Sequence, residues 1–346
     1  MNEFTNIIES WYAEHRRDLP WRDTTDPYLI WVSEIILQQT QVKQGYDYYL
    51  RFVQRFPDVQ SLAEAEEDEV LNYWQGLGYY SRARNMHAAA KSMNGKFPQT
   101  YDGVRALKGV GDYTAAAICS FAFGMPVAVI DGNVYRVLTR YVGIDTPIDS
   151  TKGVKLFKQL ADEYLDKRQP AAYNQAIMDF GALQCTPVHP HCEACPLQET
   201  CVAFREGRVE ELPVKQHKTR QTYRYFNYFF IRQGDYTYIK KRTEKDIWKN
   251  LYELPLIESS KEISERQAVS LMEQYGGPEV KTIPLKHGVK HVLSHRIILT
   301  DFYEVSLPEK EIPDVLKSYQ KVPISSLGDY AFPVLISNFL KEILDK

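Results

Sequence analysis

The chain has 346 residues, 44% apolar and 25% charged, with a formal charge of −3 and a pI near 6.3, which is the balance of an ordinary globular protein with length for two or three cores. That charge argues mildly against binding nucleic acid through an overall basic field, so any DNA contact has to use local patches. No apolar run reaches membrane-spanning length and the start Met1-Asn2-Glu3-Phe4 has no signal-peptide pattern, so a cytoplasmic protein is expected. Four of the five cysteines crowd into 185–201 while Cys119 sits alone in an apolar segment, a distribution that does not suggest a disulfide framework and that reads Cys119 most simply as a small buried hydrophobe.

Residues 1–25 read as a helix ending near Arg17-Asp18-Leu19-Pro20-Trp21-Arg22, where proline breaks the pattern. Asp26-Pro27 then supplies an N-cap and a first-turn proline for a helix over 28–42 whose middle is apolar all round except at Ser33 and Glu34. A carboxyl group flanked by Val32, Ile35, Ile36 and Leu37 is expected to be desolvated, which raises its pKa and lets it keep a proton for delivery; the ordinary alternative is a solvated Glu on a polar stripe. Gln38, Gln39 and Gln41 follow on the same predicted helix, and uncharged amides suit hydrogen bonds to bases. Further helices are predicted over 46–56, 66–74 and 80–93. Between the last two, Gln75-Gly76-Leu77-Gly78-Tyr79-Tyr80-Ser81-Arg82-Ala83-Arg84 combines close-approach glycines, aromatic rings that can wedge between bases, and arginines that can take phosphates; it is equally a plain helix-helix turn with Tyr80 in the core.

The stretch 107–135 is the most informative. Leu107-Lys108-Gly109-Val110-Gly111 is a turn whose two glycines can take positive φ and leave backbone N–H groups bare ahead of a helix starting at Asp112, a phosphate cradle that ignores base sequence. Val127-Ala128-Val129-Ile130 then delivers Asp131-Gly132-Asn133 to the head of another helix, where an N-capping Asp is held ionised by amides. Taken singly, each is common punctuation. Hairpin, Ala-rich helix and V-x-D-G-N-V together resemble the helix-hairpin-helix DNA glycosylases.

Two more helices are predicted between 151 and 178. The run Cys185-x6-Cys192-x2-Cys195-x5-Cys201 can surround a tetrahedral zinc or a [4Fe–4S] cluster, with His189 and His191 as competing zinc ligands. Residues 205–224 are polar, with Lys215, Lys218, Arg220 and Arg224 available to run along a phosphate backbone. Beyond them the periodicity changes to two. Strands are predicted over 223–232 and 236–241, joined as a hairpin at Gln233-Gly234-Asp235, and over 296–304, with helices over 264–275 and 334–344; this is an α+β domain.

Over essentially the whole length the chain resembles the MutY-type adenine DNA glycosylases, on LPWR at 19–22, SEIILQQTQV at 33–42, GLGYYSRARN at 76–85, LKGVGDYTA at 107–115, DGNVYRV at 131–137, NQAIMDFGA at 174–182, the four-cysteine loop, IWKNLYELP at 247–255 and LSHR at 293–296. The resemblance implies a multidomain fold. An all-α helix-hairpin-helix core would comprise an iron-sulfur helical domain (1–28 and 134–207) and a six-helix domain (29–133). A linker (208–222) and an α+β Nudix-like domain (223–346) would follow. It implies double-stranded DNA with A:8-oxoguanine or A:G mispairs as partner, a monomer associated with the nucleoid, and hydrolysis of the adenine N-glycosidic bond. Glu34 and Asp131 would be catalytic, with Tyr113 and Asn133 assisting; Trp21, Arg22 and Gln175 would line the adenine pocket. Gln38, Gln39, Tyr79, Lys108, Gly109, Val110 and Gly111 would bind DNA, Ser294 and His295 would read 8-oxoguanine, and Cys185, Cys192, Cys195 and Cys201 would hold a [4Fe–4S] cluster.

Departures accompany the match. Tyr113 stands where endonuclease III-like enzymes carry a Schiff-base lysine, which implies a monofunctional glycosylase rather than a bifunctional lyase; a non-catalytic DNA-scanning protein is the other alternative. Leu293 replaces the expected Phe before Ser-His, Tyr135 fills a position that is basic in some relatives, and the helix near 262–275 lacks the R-E-x-x-E-E metal cluster of Nudix hydrolases.

Overall fold

The computed structural model describes residues 2–216, 221–276, 281–308 and 313–344, with side chains omitted over 272–276. Helices come first: α1 (Glu3–His15), α2 (Pro27–Leu37), α3 (Val42–Arg55), α4 (Val59–Glu64), α5 (Glu67–Tyr73), α6 (Ser81–Ser92), α7 (Tyr101–Arg105), α8 (Asp112–Phe123), α9 (Gly132–Val142), α10 (Thr151–Tyr164), α11 (Pro170–Asp179) and α12 (Val202–Arg205). Strands follow: β1 (Thr222–Arg232), β2 (Tyr236–Lys241), β3 (Tyr252–Glu253) and β4 (Leu256–Ser259), then α13 (Glu265–Gly276), β5 (Lys281–Val292), β6 (Arg296–Ser306), β7 (Gln320–Pro323) and α14 (Val334–Leu344). The chain forms two compact units, Met1–Glu64 with Asn85–Lys218, and Ala65–Arg84 with Thr219–Lys346.

The first unit is helical. α2 begins where Asp26 accepts the Tyr28 N–H at 2.8 Å, a cap worth about 1 kcal/mol. Its residues Ile30, Trp31, Val32, Ile35 and Ile36 are buried and it packs against α8. α1 packs against α11, and Phe4, Ile8, Trp11, Val134, Leu138, Phe157 and Phe180 share one core. α2 is shorter than predicted: it stops at Leu37, and Gln39, at φ +57°, turns the chain into α3, so the three glutamines lie on a turn instead of a helix. α1 likewise ends at His15, leaving Pro20–Arg22 as a separate single turn. α4 and α7, too short to show a period, were not predicted.

In the second unit the main sheet has the order β4-β1-β6-β5, with β1 and β6 parallel and the other pairs antiparallel; β3-β2-β7 forms a smaller sheet. Phe229, Ile231, Tyr238, Tyr303 and Val305 pack on one side, and Phe302 stacks on Phe339 of α14 at 4.0 Å. The predicted β1–β2 hairpin closes only through the Gln233–Tyr236 bridge, after which the two strands enter different sheets. Residues 65–84, expected within the 29–133 segment, pack here: Asn250 donates to Glu67 at 2.5 Å, Tyr252 to Asp68 at 3.1 Å and Arg84 to the Lys249 carbonyl at 2.7 Å.

Candidate active site

Glu34 lies two turns into α2, buried, and accepts a 2.7 Å hydrogen bond from Tyr113 Oη, which α8 brings alongside. Burial pushes its carboxyl up to about 7; the Tyr113 hydrogen bond pulls the other way, the Asp131 charge adds to the rise, and Arg22 opposes it. Tyr113 is itself pushed far above the usual phenol range by burial and by Glu34, so it keeps its proton and acts as donor.

Asp131 caps α9. Its Oδ1 accepts the Val134 N–H at 2.8 Å and its Oδ2 accepts Asn133 Nδ2 at 2.7 Å. Burial raises its pKa, and these donors work against that rise. Asn133 is held in turn: its Oδ1 accepts Arg136 Nη2 at 2.8 Å, and the same guanidinium donates to the carbonyls of Gly181 at 2.6 Å and Cys185 at 2.7 Å. Gly181 allows this approach, since a Cβ there would stand 2.6 Å from Asn133 Cβ. It lies in a wide π turn, Phe180–Gln184, closed by the Cys185 N–H on the Phe180 carbonyl at 2.8 Å.

Glu34, Tyr113, Asp131 and Asn133 line one cavity of about 640 Å³ together with Trp21, Arg22 and Gln175. That volume suits a purine base with part of its sugar. Trp21 is wedged edge-on to Tyr49 at 5.1 Å. Arg22 is fixed by Asp179, which is fully buried and also binds Arg17; the Arg22 Nη2 and Arg17 Nε contacts to Oδ1 measure 2.6 and 2.9 Å. Burial works against the Asp179 charge, but the two arginines outweigh it and hold the carboxyl below its usual range. The sequence reading gave no role to Asp179, Arg136, Arg17 or Lys43, the last three of which also line the cavity; a buried Asp within an apolar helix was the available signal for the first.

The predicted DNA-contacting residues occupy turns. Gly109 has φ +83°, and a Cβ there would meet Asn85 Cβ at 2.8 Å. Gly111, at φ −93°, does not use positive φ as expected, and serves instead as the N-cap position of α8. Lys108, Gly109 and Gly111 are exposed and Val110 is buried. Gln38 donates to Thr114 Oγ1 at 3.2 Å, and Gln39 is exposed. In the second unit Tyr79 is 45% exposed at φ +45°, whereas Tyr80 is core. Arg84 is engaged on the Lys249 carbonyl and Arg82 on that of Gly78 at 3.2 Å, so neither is presented as the sequence suggested. Of the basic run, Lys218 and Arg220 lie outside the described residues. Arg224 is a strand residue bonded to Asp246 at 2.8 Å and Glu258 at 2.6 Å, so it is no phosphate ligand. Ser294 and His295 are exposed in the two-residue turn between β5 and β6, closed by Leu293 N–H on the Arg296 carbonyl at 2.8 Å.

Among the described residues no three His, Cys, Asp or Glu side chains meet closely enough to hold one metal ion. Cys185, Cys192, Cys195 and Cys201 nevertheless line a single cavity. Arg140 donates to Cys185 Sγ at 3.4 Å and to the Thr186 carbonyl at 2.8 Å, and backbone N–H groups at Leu197, Ala203 and Phe204 address the sulfurs of Cys195 and Cys201. Burial pushes the Cys195 thiol up to about 12, so thiolates there need a cationic centre to form. An all-sulfur set spread around one cavity with N–H donors on the sulfurs fits a polynuclear iron-sulfur cluster, which spans its ligands.

Residues 32–162 match the model of the HhH-GPD superfamily base excision DNA repair proteins, and residues 227–342 match a NUDIX domain. The adenine DNA glycosylase of Buchnera aphidicola subsp. Baizongia pistaciae is 36% identical over 298 residues, covering 84% of this chain and 83% of that protein. The mouse adenine DNA glycosylase is 41% identical over 226 residues, 61% of this chain and 44% of that one. Among solved structures, a thermostable thymine-DNA glycosylase superposes with a TM-score of 0.55 at 29% identity, over 59% of this chain and 95% of its own.

Proposed function

Since the chain belongs to the adenine DNA glycosylase family, we infer that it is a base-excision repair enzyme that hydrolyses the N-glycosidic bond of adenine in double-stranded DNA. The observation that carries the reading at residue level is the pair of carboxyl groups in one cavity with room for a base and its sugar, with the Glu34 carboxyl pushed up to about 7. Adenine enters only after leaving the stack, at a cost of a few kcal/mol that contacts in the cavity offset. Glu34, protonated in part at neutral pH, gives its proton to the adenine ring nitrogen N7, and the base becomes a better leaving group. As the bond to C1′ lengthens, positive charge grows on the sugar and Asp131 stabilises it, its orientation fixed by the Val134 amide and the Asn133 side chain. Water then adds at C1′, positioned by Asn133, and its proton is accepted by the carboxylate that Glu34 has become. Tyr113 keeps Glu34 aimed at the base throughout.

The substrate mispairs are A opposite 8-oxoguanine and A opposite G, with Ser294 and His295 donating hydrogen bonds to 8-oxoguanine. With Tyr113 where a lyase would carry lysine, the enzyme is monofunctional. Cys185, Cys192, Cys195 and Cys201 hold a [4Fe–4S] cluster, which when bound supplies Fe–S bonds that cross-link the loop. The 108–111 turn, exposed at Lys108, Gly109 and Gly111, takes DNA phosphate through backbone amides. The deciding experiment incubates the protein with duplexes carrying A opposite 8-oxoguanine, G or T, and thymine glycol. Release of adenine from the first two without strand cleavage is expected; attack on thymine glycol with cleavage would overturn the reading in favour of a lyase.

A further inference from the structure

Tyr12 of α1 is buried, and its hydroxyl is the meeting point of two residues that line the cavity. Arg22 Nη1 donates to Tyr12 Oη at 3.4 Å, and Tyr12 Oη donates to Gln175 Oε1 at 2.9 Å. Donor accounting fixes the direction of this chain. A guanidinium has only N–H groups to offer, so the phenol oxygen accepts from Arg22, and its one proton has to go to the other neighbour. Gln175 therefore turns its carbonyl oxygen to Tyr12. The reverse orientation of the carboxamide would set its NH₂ against the phenol and leave the phenol proton without an acceptor beside a cation. Arg22 cannot swing away to relieve this, because Asp179 anchors it through Nη2 at 2.6 Å.

We propose that Tyr12 is a positioning residue for base selection: it holds the Gln175 carboxamide so that the NH₂ end faces the cavity, which then accepts a base edge carrying an unprotonated ring nitrogen and disfavours one carrying N–H. This rests on the reading that the cavity receives adenine. Adenine's ring nitrogens outside the glycosidic bond are all acceptors, whereas guanine and hypoxanthine carry N1–H. Gln175 supplies the contact and Tyr12 supplies its polarity, from outside the set of residues that touch the base.

The test is a double-mutant cycle read by single-turnover excision of adenine with enzyme in excess. Tyr12→Phe keeps the ring in place and removes only the hydroxyl; it is expected to slow excision about tenfold, the loss of roughly one hydrogen bond, with DNA affinity unchanged and the thermal midpoint lowered by only a few degrees. Gln175→Ala is expected to slow it further, and the double variant to be no slower than Gln175→Ala alone, because Tyr12 acts through Gln175. Gln175→Glu keeps an acceptor for Tyr12 but shows the base an acceptor too, so it should be at least as slow as Gln175→Ala. Multiplying losses in the double variant, a Tyr12→Phe rate within twofold of wild type, or a fast Gln175→Glu enzyme would each overturn the proposal. Wild-type protein that released no adenine would instead refute the reading of the cavity on which it rests.

Discussion

Replacing Glu34 by Gln should make the protein more stable and less active, with both effects following pH. In the folded chain the Glu34 carboxyl titrates near 7, against an ordinary value of 4.5. The folded state thus binds the proton more tightly than the unfolded one, and stability falls as pH rises from about 4.5 through about 7. With RT ln 10 at about 1.4 kcal/mol, the gap corresponds to a cost of about 3 kcal/mol once Glu34 is ionised in place. Gln keeps the shape and an acceptor for Tyr113 but never carries the charge. The thermal midpoint of Glu34→Gln should match wild type near pH 4.5 and exceed it by roughly 6–12 °C near pH 8.5, at 2–4 °C per kcal/mol for a unit of this size. Single-turnover excision by wild type should decline above about pH 7, as the acid form is lost, and the variant should bind its duplex without excising. A midpoint difference that stays flat from pH 5 to 8.5, together with a wild-type rate that does not fall above pH 7, would refute a desolvated Glu34 as the acid.

Asp131→Asn should retain mispair binding and lose about 10²–10³ in single-turnover rate, the usual result of removing a charge aimed at the transition state; a loss of only a few-fold would remove Asp131 from the reaction. Replacing Ser294 and His295 together by Ala should narrow the preference for A opposite 8-oxoguanine over A opposite G by roughly 1–3 kcal/mol, with A:G excision itself little changed; an unchanged ratio in a folded variant would end their assignment as readers. Protein prepared anaerobically should be brown with broad visible absorption and should lose colour on Cys195→Ser, whereas colourless protein carrying one zinc would contradict an iron-sulfur centre.

What could be read in the sequence was whatever the chain announces locally. Asp26-Pro27 and Asp131-Gly132-Asn133 carry their own capping chemistry, and both caps form through the expected side-chain oxygens. Glu34 stood out because a charge among Val32, Ile35 and Ile36 has no local solvent face. The end of α2 was not legible: the apolar period runs into Gln38-Gln39-Thr40-Gln41 without Gly or Pro, and only packing decides that Gln39 takes the left-handed conformation. β5 escaped because its residues are nearly all exposed or half-exposed, with Lys281, Lys286, His287 and Lys290 showing no alternating pattern. Asp179 and Tyr12 were missed for a different reason. Asp179 meets Arg17 and Arg22, and Tyr12 meets Gln175, across 157 to 163 residues of chain, and no spacing rule joins them.

α9 works as a measured rod. Asp131 caps it, Asn133 sits in its first turn, and Arg136 and Arg140, one turn apart, hold the carbonyls of Cys185 and Thr186. These four side chains keep their relation only because the helix between them has a fixed phase. One residue inserted or removed between 133 and 136 would rotate everything beyond it by about 100° and shift it by about 1.5 Å, carrying both arginines off the cysteine loop while leaving the Asp131 cap intact. Substitutions at the half-buried Tyr135 and Tyr141 change packing locally, against Phe157 and Phe4, but a change in length uncouples one end of the rod from the other. Length is therefore the more sensitive property of this segment than the identity of its outward-facing residues.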